Sequence, residues 1–421
     1  MRVSWDVTVS AGPRGRTIRR LGALVGVLVA CGSLLCAQAS VAAKHKHRPK
    51  PKPKAFTEFR VPTGKSQPAA ITAGPDGNLW FTEETGDKIG RITPAGKIKE
   101  FQIPTAGRGS LGITAGPDGN LWFTETNANT IDRMTTSGQI TQFQILTPVS
   151  GPAAITSGPD GNVWFTEATG ERIGRITPSG AITDFSIPSA TPRPYGIAAG
   201  RDGNIWFTEE GADKVGRITP SGAMTEFKVP TAAAGPFGIT AGPDGNLWFT
   251  ELHAAKIGRI TPSGTITEFR VPGGLGSPIA IASGPDHNLW FVNDTPDRIG
   301  RITPSGRISE FQIPTEESVP IAITTGRDRN LWFTEAFGNQ IGRVRIKLLP
   351  KQSAKTSKCI VPRLIGLTPG QAVRSLHSAN CALGKLTVPA APLHHQPKVV
   401  SQQPAAKKRL PSGARVNIRL G

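Results

Sequence analysis

An all-β ring, a seven-bladed β-propeller, is the fold this sequence predicts, and two observations predict it. Seven tryptophans recur every 42 residues, at Trp80, Trp122, Trp164, Trp206, Trp248, Trp290 and Trp332. Each sits in a near-copy of one phrase, complete from Gly242 to Glu251 as GPDGNLWFTE and followed by IGRITPSG and an ITEF-like run. A fixed period of this length, built from short strands, marks a radial or stacked repeat.

One repeat, Ile239 to Pro272, shows why each element forms. A short apolar run leads into Gly242-Pro243-Asp244-Gly245-Asn246, and Asp-Gly between apolar runs signals a tight hairpin, because glycine supplies the positive φ. Leu247 to Glu251 forms the second strand and Lys256 to Thr261 the third. Pro262-Ser263-Gly264 turns the chain, and Ile266 to Val271 forms the fourth. Residues alternate within each strand and no helical period appears. Four antiparallel strands per repeat make a propeller blade. The tryptophans pack between blades.

The ends of the repeat array supply the closure. After Ile341-Gly342-Arg343 no ITEF-like strand follows, yet one precedes the first repeat, Phe56 to Val61. That strand completes the seventh blade and hides an edge that would otherwise pair with neighbours. The ring is expected over residues 55–346.

The formal charge of +19 belongs to the ends of the chain. Residues 55–346 hold 25 Lys/Arg against 29 Asp/Glu. Residues 1–54 hold 11 basic residues with only Asp6, and 347–421 hold 13 with no acid. An anionic partner is therefore expected for the appendages, not for the ring. Residues 1–43 read as a signal peptide. Arg14, Arg16, Arg19 and Arg20 precede an apolar stretch from Leu21 to Leu35, with cleavage expected after Ala39 or Ala43. Leu28-Val29-Ala30-Cys31 offers a lipoprotein box as the alternative, so the mature protein is secreted or held at the cell envelope. Residues 44–54 (KHKHRPKPKPK) form a basic, extended spacer. Nucleic acid is not an expected partner, because the basic segments lack interleaved aromatics. Nothing in the sequence specifies an oligomer, and a monomer is expected.

Beyond a linker at 347–358, residues 359–421 read as a second, small α+β domain. Val361-Pro362-Arg363-Leu364-Ile365-Gly366 opens it and Thr368 to Leu376 forms a short helix. Gly384-Lys385-Leu386, Val399 to Pro404 and Gly413 to Ile418 follow. These motifs resemble a PASTA domain, although Ala405-Ala406-Lys407 replaces the usual glycine-bearing turn. The resemblance implies a module on the outer face of the envelope, with an anionic cell-wall polymer or peptidoglycan as partner, or else a mere spacer. Cys359 and Cys381 are expected to join in a disulfide, since an exported small domain with two cysteines uses such a staple.

Antiparallel pairing places the start of each first strand beside the end of the second. Glu83, Glu125, Glu167, Glu209, Glu251, Asn293 and Glu335 end the second strands, and Ala69, Leu111, Ala153, Tyr195, Phe237, Ile279 and Ile321 lie near the start of the first. Both rings are expected to line one mouth of the channel. The carboxylates there would bind a ligand, hold a divalent cation, or serve each blade structurally.

The phrases GPDGNLWFTE, IGRITPSG and ITEF are similar across all seven blades to the repeats of virginiamycin B (streptogramin B) lyases. That resemblance implies opening of a cyclic depsipeptide antibiotic by magnesium-assisted elimination, with a neutral histidine as base and carboxylates on the metal. The family's histidine stands in a Glu-Pro-His-Gly-Ile-Thr phrase. At that place this chain has the seven first-strand residues named above, none of them histidine. Two residues earlier it has Gln67, Gly109, Gly151, Arg193, Gly235, Ser277 and Val319, none of them acidic. Only the third element persists, with Glu335 as the metal-ligand equivalent in the last blade. His253, five residues after Trp248, reaches the same rim and is the candidate relocated base, paired with Glu251, whereas His287 falls on the opposite rim. The leading expectation is an envelope propeller that binds rather than cleaves, its mouth taking a cyclic peptide ligand. The alternative is a divergent magnesium-dependent lyase.

Overall fold

The computed structural model describes residues 54–104, 107, 109–272, 276–350, 359–379, 381–388, 397–410 and 414–421. The expected signal peptide, Cys31, all of the basic spacer but Lys54, and residues 351–358 of the linker lie outside the described residues.

Seven four-stranded antiparallel sheets form the ring. In the first blade the strands Pro68–Ala73, Leu79–Glu83, Lys88–Ile92 and Ile98–Gln102 pair in sequence order, and the next five blades repeat this. The seventh draws Phe56–Arg60 from the other end of the array. That strand pairs with Gln340–Val344, Phe56 opposite Val344 and Arg60 opposite Gln340. The innermost strands touch one another around the ring, and Pro68–Ala73 meets Pro320–Thr325 to close it.

The repeated residues act at every blade boundary. Asp76-Gly77 turns the chain with Gly77 at φ 82, and the Trp80 indole Nε1 donates to Asp76 Oδ1 at 2.9 Å. Trp80 is fully buried and packs with Ile113, Leu121 and Phe123 of the second blade. Its ring stacks on Phe101 at 5.3 Å, and the Arg91 guanidinium lies 5.6 Å above it. The same arginine of other blades reaches onward, as when Arg133 Nη1 donates to the Pro178 carbonyl at 2.8 Å.

A bulge near the start of each innermost strand frees backbone groups, and a threonine answers them. In the second blade the register shifts between Ser110 and Ile113. Thr124 Oγ1 accepts from Gly112 N–H at 2.8 Å and donates to the Ala153 carbonyl of the next blade at 2.8 Å. Thr334 Oγ1 does the same across the closure, donating to Ala69 O at 2.7 Å. Blade six carries Val292 at this place and forgoes the link.

Residues 359–421 carry a core of their own, with Val361, Leu364, Leu376, Val416 and Leu420 buried together. Arg415–Leu420 is the middle strand of three, parallel to Ala382–Thr387 and antiparallel to Val399–Gln403. The helix Pro369–Ser378 starts with a reciprocal cap. Gln371 N–H donates to Thr368 Oγ1 at 3.4 Å, and Thr368 N–H to Gln371 Oε1 at 3.0 Å. Cys359 and Cys381 form a disulfide. No helix among the described residues is long and apolar enough to cross a membrane.

Candidate functional site

The pairing expected at the mouth is present, with Pro68 opposite Glu83 and Pro194 opposite Glu209. The glutamate ring, however, does not open onto the channel. Glu83, Glu125, Glu167, Glu209, Glu251 and Glu335 are each 0% exposed. The loops entering the blade roof them. A Cβ on Gly86 would come within 2.9 Å of both Glu83 Oε2 and the Ser66 side chain. Every residue from Leu79 to Glu83 is buried, so both faces of the strand are interior and the packing of the roofing loop closes Glu83 off.

These carboxyls are poorly solvated. Among the described residues, neither oxygen of Glu83, Glu167, Glu209, Glu251 or Glu335 accepts a hydrogen bond of ordinary length. Burial, then the charge of a second carboxylate, pushes their pKa values up. Glu83 facing Glu100 and Glu209 facing Glu226 rise to about 7. Glu167 facing Asp184, Glu251 facing Glu268, and Glu335 facing Glu58 rise to about 8. Glu125 differs, accepting from Ser110 Oγ at 2.6 Å. The facing acids tie loops between blades. Glu100 takes hydrogen bonds from Thr63 N–H at 2.8 Å and from Thr63 Oγ1 at 2.9 Å, and an ion pair from Lys88 at 3.1 Å. The ring is thus a set of separate buried pairs, and no group of three or more His, Cys, Asp or Glu suited to a metal occurs among the described residues.

The residue one place further on is variable, and in two blades it is a glutamate whose charge reaches Tyr195. This position holds Glu84, Thr126, Ala168, Glu210, Leu252, Asp294 and Ala336. Glu210 pairs with Arg193 at 3.2 Å and lies 4.0 Å from His253 Nε2. Tyr195 and Phe237, on adjacent blades, stack with ring centroids 3.8 Å apart. Burial, then the charges of Glu84 and Glu210, raises the Tyr195 phenol to about 12. His253 is half exposed, its ring edge against Gly235. Its acidic neighbour is therefore Glu210 of the preceding blade and not the expected Glu251, which points into the blade.

Sequence reasoning missed Glu84, Glu210 and Arg193 around Tyr195. The available signal was irregularity. The glutamate present in six blades serves every blade, whereas the next residue changes from blade to blade as a ligand-facing position does.

This geometry sits on a known frame. The sequence profile of the virginiamycin B lyase family matches residues 51–231 and 197–348. The chain belongs to the virginiamycin B lyase family. Virginiamycin B lyase from Staphylococcus aureus shares 40% identity, the match covering 68% of this chain and 98% of that one, with a TM-score of 0.66. A catalytically inactive histidine-to-alanine variant of that lyase, crystallised with quinupristin, aligns equally well, at 40% identity and TM-score 0.66 over 68% of this chain and 98% of its own. Virginiamycin B lyase of Bacillus licheniformis is 45% identical over 42 residues, 10% of this chain and 14% of that protein. Hydrazine synthase of Kuenenia stuttgartiensis shares the fold alone, at 13% identity and TM-score 0.56 over 68% of this chain and 98% of that one.

Within the virginiamycin B lyase frame, the residues here do not fit a magnesium ion. The places of the family's base and of its first acidic ligand hold no histidine and no carboxylate. Glu335, the equivalent in the last blade, is closed off from solvent, and burial and then Glu58 raise its pKa to about 8. A hard dication needs ionised oxygen ligands facing one point.

Proposed function

We propose that this protein is a binding member of its family, with the mouth at blades four and five as its recognition surface. The observation that carries this reading is the replacement of the family's histidine by the Tyr195–Phe237 stack. An aromatic pair gives a rigid apolar platform for a ring-shaped or peptide ligand. Around it, Arg193 with Glu210, and Glu84, supply charges that fix orientation. The buried glutamates contribute by setting the shape of the strand ends, not by touching ligand.

Export by the arginine-bearing leader, with release or attachment at Cys31, would place the protein outside the membrane. The basic spacer and the PASTA-like tail would then hold it near anionic wall polymers. Deleting residues 347–421 should abolish salt-sensitive sedimentation with purified cell wall; equal sedimentation of the bare ring would overturn the tethering role.

The catalytic question has a direct assay. Incubation with a type B streptogramin and magnesium, followed by chromatography and mass spectrometry, should return the antibiotic unchanged. A product of equal mass and altered retention would show elimination and reject the binding-only reading. The second reading rests on the His253–Glu210 approach, since a carboxylate beside an imidazole orients it as a base. In that case His253→Ala should abolish turnover, and full turnover in this variant would exclude His253.

A further inference from the structure

On the rim opposite the mouth, a cavity of about 520 Å³ opens between the last two blades and the short 3-10 turn Ile346–Leu348. That volume suits a small organic molecule. Arg329, Arg345 and Lys347 line it, and none of the three lies within ion-pair distance of a carboxylate among the described residues. Asp286 and Asp328 also line it, but their oxygens are engaged elsewhere. Asp286 accepts from Trp290 Nε1 at 2.8 Å and Asn288 Nδ2 at 2.9 Å, and Asp328 from Trp332 Nε1 at 3.2 Å and Asn330 Nδ2 at 2.8 Å. Pro285, Ile346 and Leu348 add an apolar side.

The repeat itself serves as a control. At the place of Arg329, five blades have glycine with positive φ: Gly77, Gly119, Gly161, Gly203 and Gly245. Arg329 holds the same left-handed conformation at φ 59, which a side chain rarely adopts. Blade seven also has Arg327 where five blades have proline. The last turn has thus exchanged its best turn residues for two cations, one of them at the cavity. The adjoining chain cannot supply the counter-charge, because 44–54 and 347–358 contain no acid.

We propose that this cavity binds a small organic phosphate, the phosphoryl group on Arg329, Arg345 and Lys347 and the organic part on Pro285 and Leu348. Guanidinium groups match phosphoryl oxygens in bidentate geometry, and three cations suit a dianion better than a single carboxylate. The site is separate from the mouth and independent of what the mouth binds.

The test is calorimetric titration of the full chain at low salt with phenyl phosphate, inorganic phosphate and phenol. Phenyl phosphate should bind most tightly and phenol not at all. Arg329→Gly restores the residue of the other blades, so it should melt no lower than the wild type. It should nevertheless weaken phenyl phosphate about tenfold, the worth of one charge-assisted hydrogen bond. Arg345→Gln should weaken it similarly. The basic tail is present in every variant, so affinity unchanged by both substitutions would assign the binding to the tail and overturn the proposal. Absence of saturable binding at millimolar phenyl phosphate, or phenol binding equally well, would overturn it too.

Discussion

Raising the pH from about 5 to about 9 should destabilise the ring by several kcal/mol, the loss accumulating from pH 5 and levelling off above about pH 8. The cause is the buried set Glu83, Glu167, Glu209, Glu251 and Glu335, whose folded-state pKa values of about 7 to 8 exceed the 4.5 of an ordinary glutamate. Between these values the folded chain holds protons that the unfolded chain has lost. Stability from them is therefore complete below pH 4.5 and falls as pH rises through the folded values. One pKa unit retained at each of five sites amounts to about 7 kcal/mol, comparable with the net stability of a whole domain.

Positive neighbours moderate the effect at four of the sites. Lys88 faces Glu83, Arg172 faces Glu167, Lys214 faces Glu209 and Lys256 faces Glu251. Glu335 has no such cation among its perturbing neighbours, which are Glu58 and Asp297 with Ser318 beside it. The opposite sign operates at lower pH. At Asp76, burial raises the pKa but hydrogen bonds from Trp80 and Asn78 outweigh it, and at Glu100 the bonds from Thr63 and Lys88 do the same. Those depressed groups withdraw stability as pH falls below about 4. Maximum stability is thus expected near pH 4 to 5. Denaturant midpoints measured across this range check it. Glu335→Gln should flatten the alkaline side while leaving pH 5 nearly unchanged, and a wild-type profile that is level from pH 5 to 9 would show that these carboxyls are solvated.

Removal of residues 55–61 should open the ring. Val61 is fully buried, worth about 1.5–3 kcal/mol, Phe56 and Phe59 are partly buried and worth less each, and the pairing with Gln340–Val344 is lost with them. Phe59 stacks on Trp332 at 5.7 Å beneath the Arg343 guanidinium at 5.2 Å, so it completes the aromatic stack of the last blade. Glu58 accepts from Thr315 N–H at 3.1 Å, and Asn339 Nδ2 donates to Thr63 O at 2.9 Å across the same seam. The summed loss rivals the whole stability of a domain. The exposed edge of Gln340–Val344 should then recruit other chains. Size-exclusion chromatography should show association, and the cooperative unfolding transition should disappear. A monomeric deletion variant that unfolds cooperatively near the wild-type midpoint would mean that the six complete blades close without this strand. Phe59→Ala gives a folded comparison, with an expected loss of about 3 kcal/mol.

The ring was legible because its determinants are local and repeated. Asp244-Gly245 specifies a turn, Trp248 and Phe249 specify a strand buried on both faces, and a 42-residue period leaves a radial or stacked array as the way to bury them. The displaced strand Phe56–Arg60 was readable for the same reason, as a missing repeat unit found at the other end. The helix of the small domain was expected from Thr368, and the structure starts it there with the Thr368–Gln371 cap.

The site was only half legible. Adjacency of strand ends followed from antiparallel pairing, although the residue opposite Glu209 is Pro194, one place before the expected Tyr195. The direction of the side chains did not follow from it. Glu209 and Glu210 are consecutive, and only the packing of the roofing loop settles which of them is closed off. The partnership of His253 with Glu210 joins neighbouring blades, whose relative tilt no single repeat encodes. The sequence by itself determined the blade, the number of blades and the loss of the family's histidine, because these depend on residue identity and on contacts repeated within 42 residues. The tertiary structure alone decided that the repeated glutamates are interior, that Tyr195 and Phe237 stack, and that Arg329, Arg345 and Lys347 surround one cavity. Those outcomes depend on distances between separate blades, which are fixed when the ring closes.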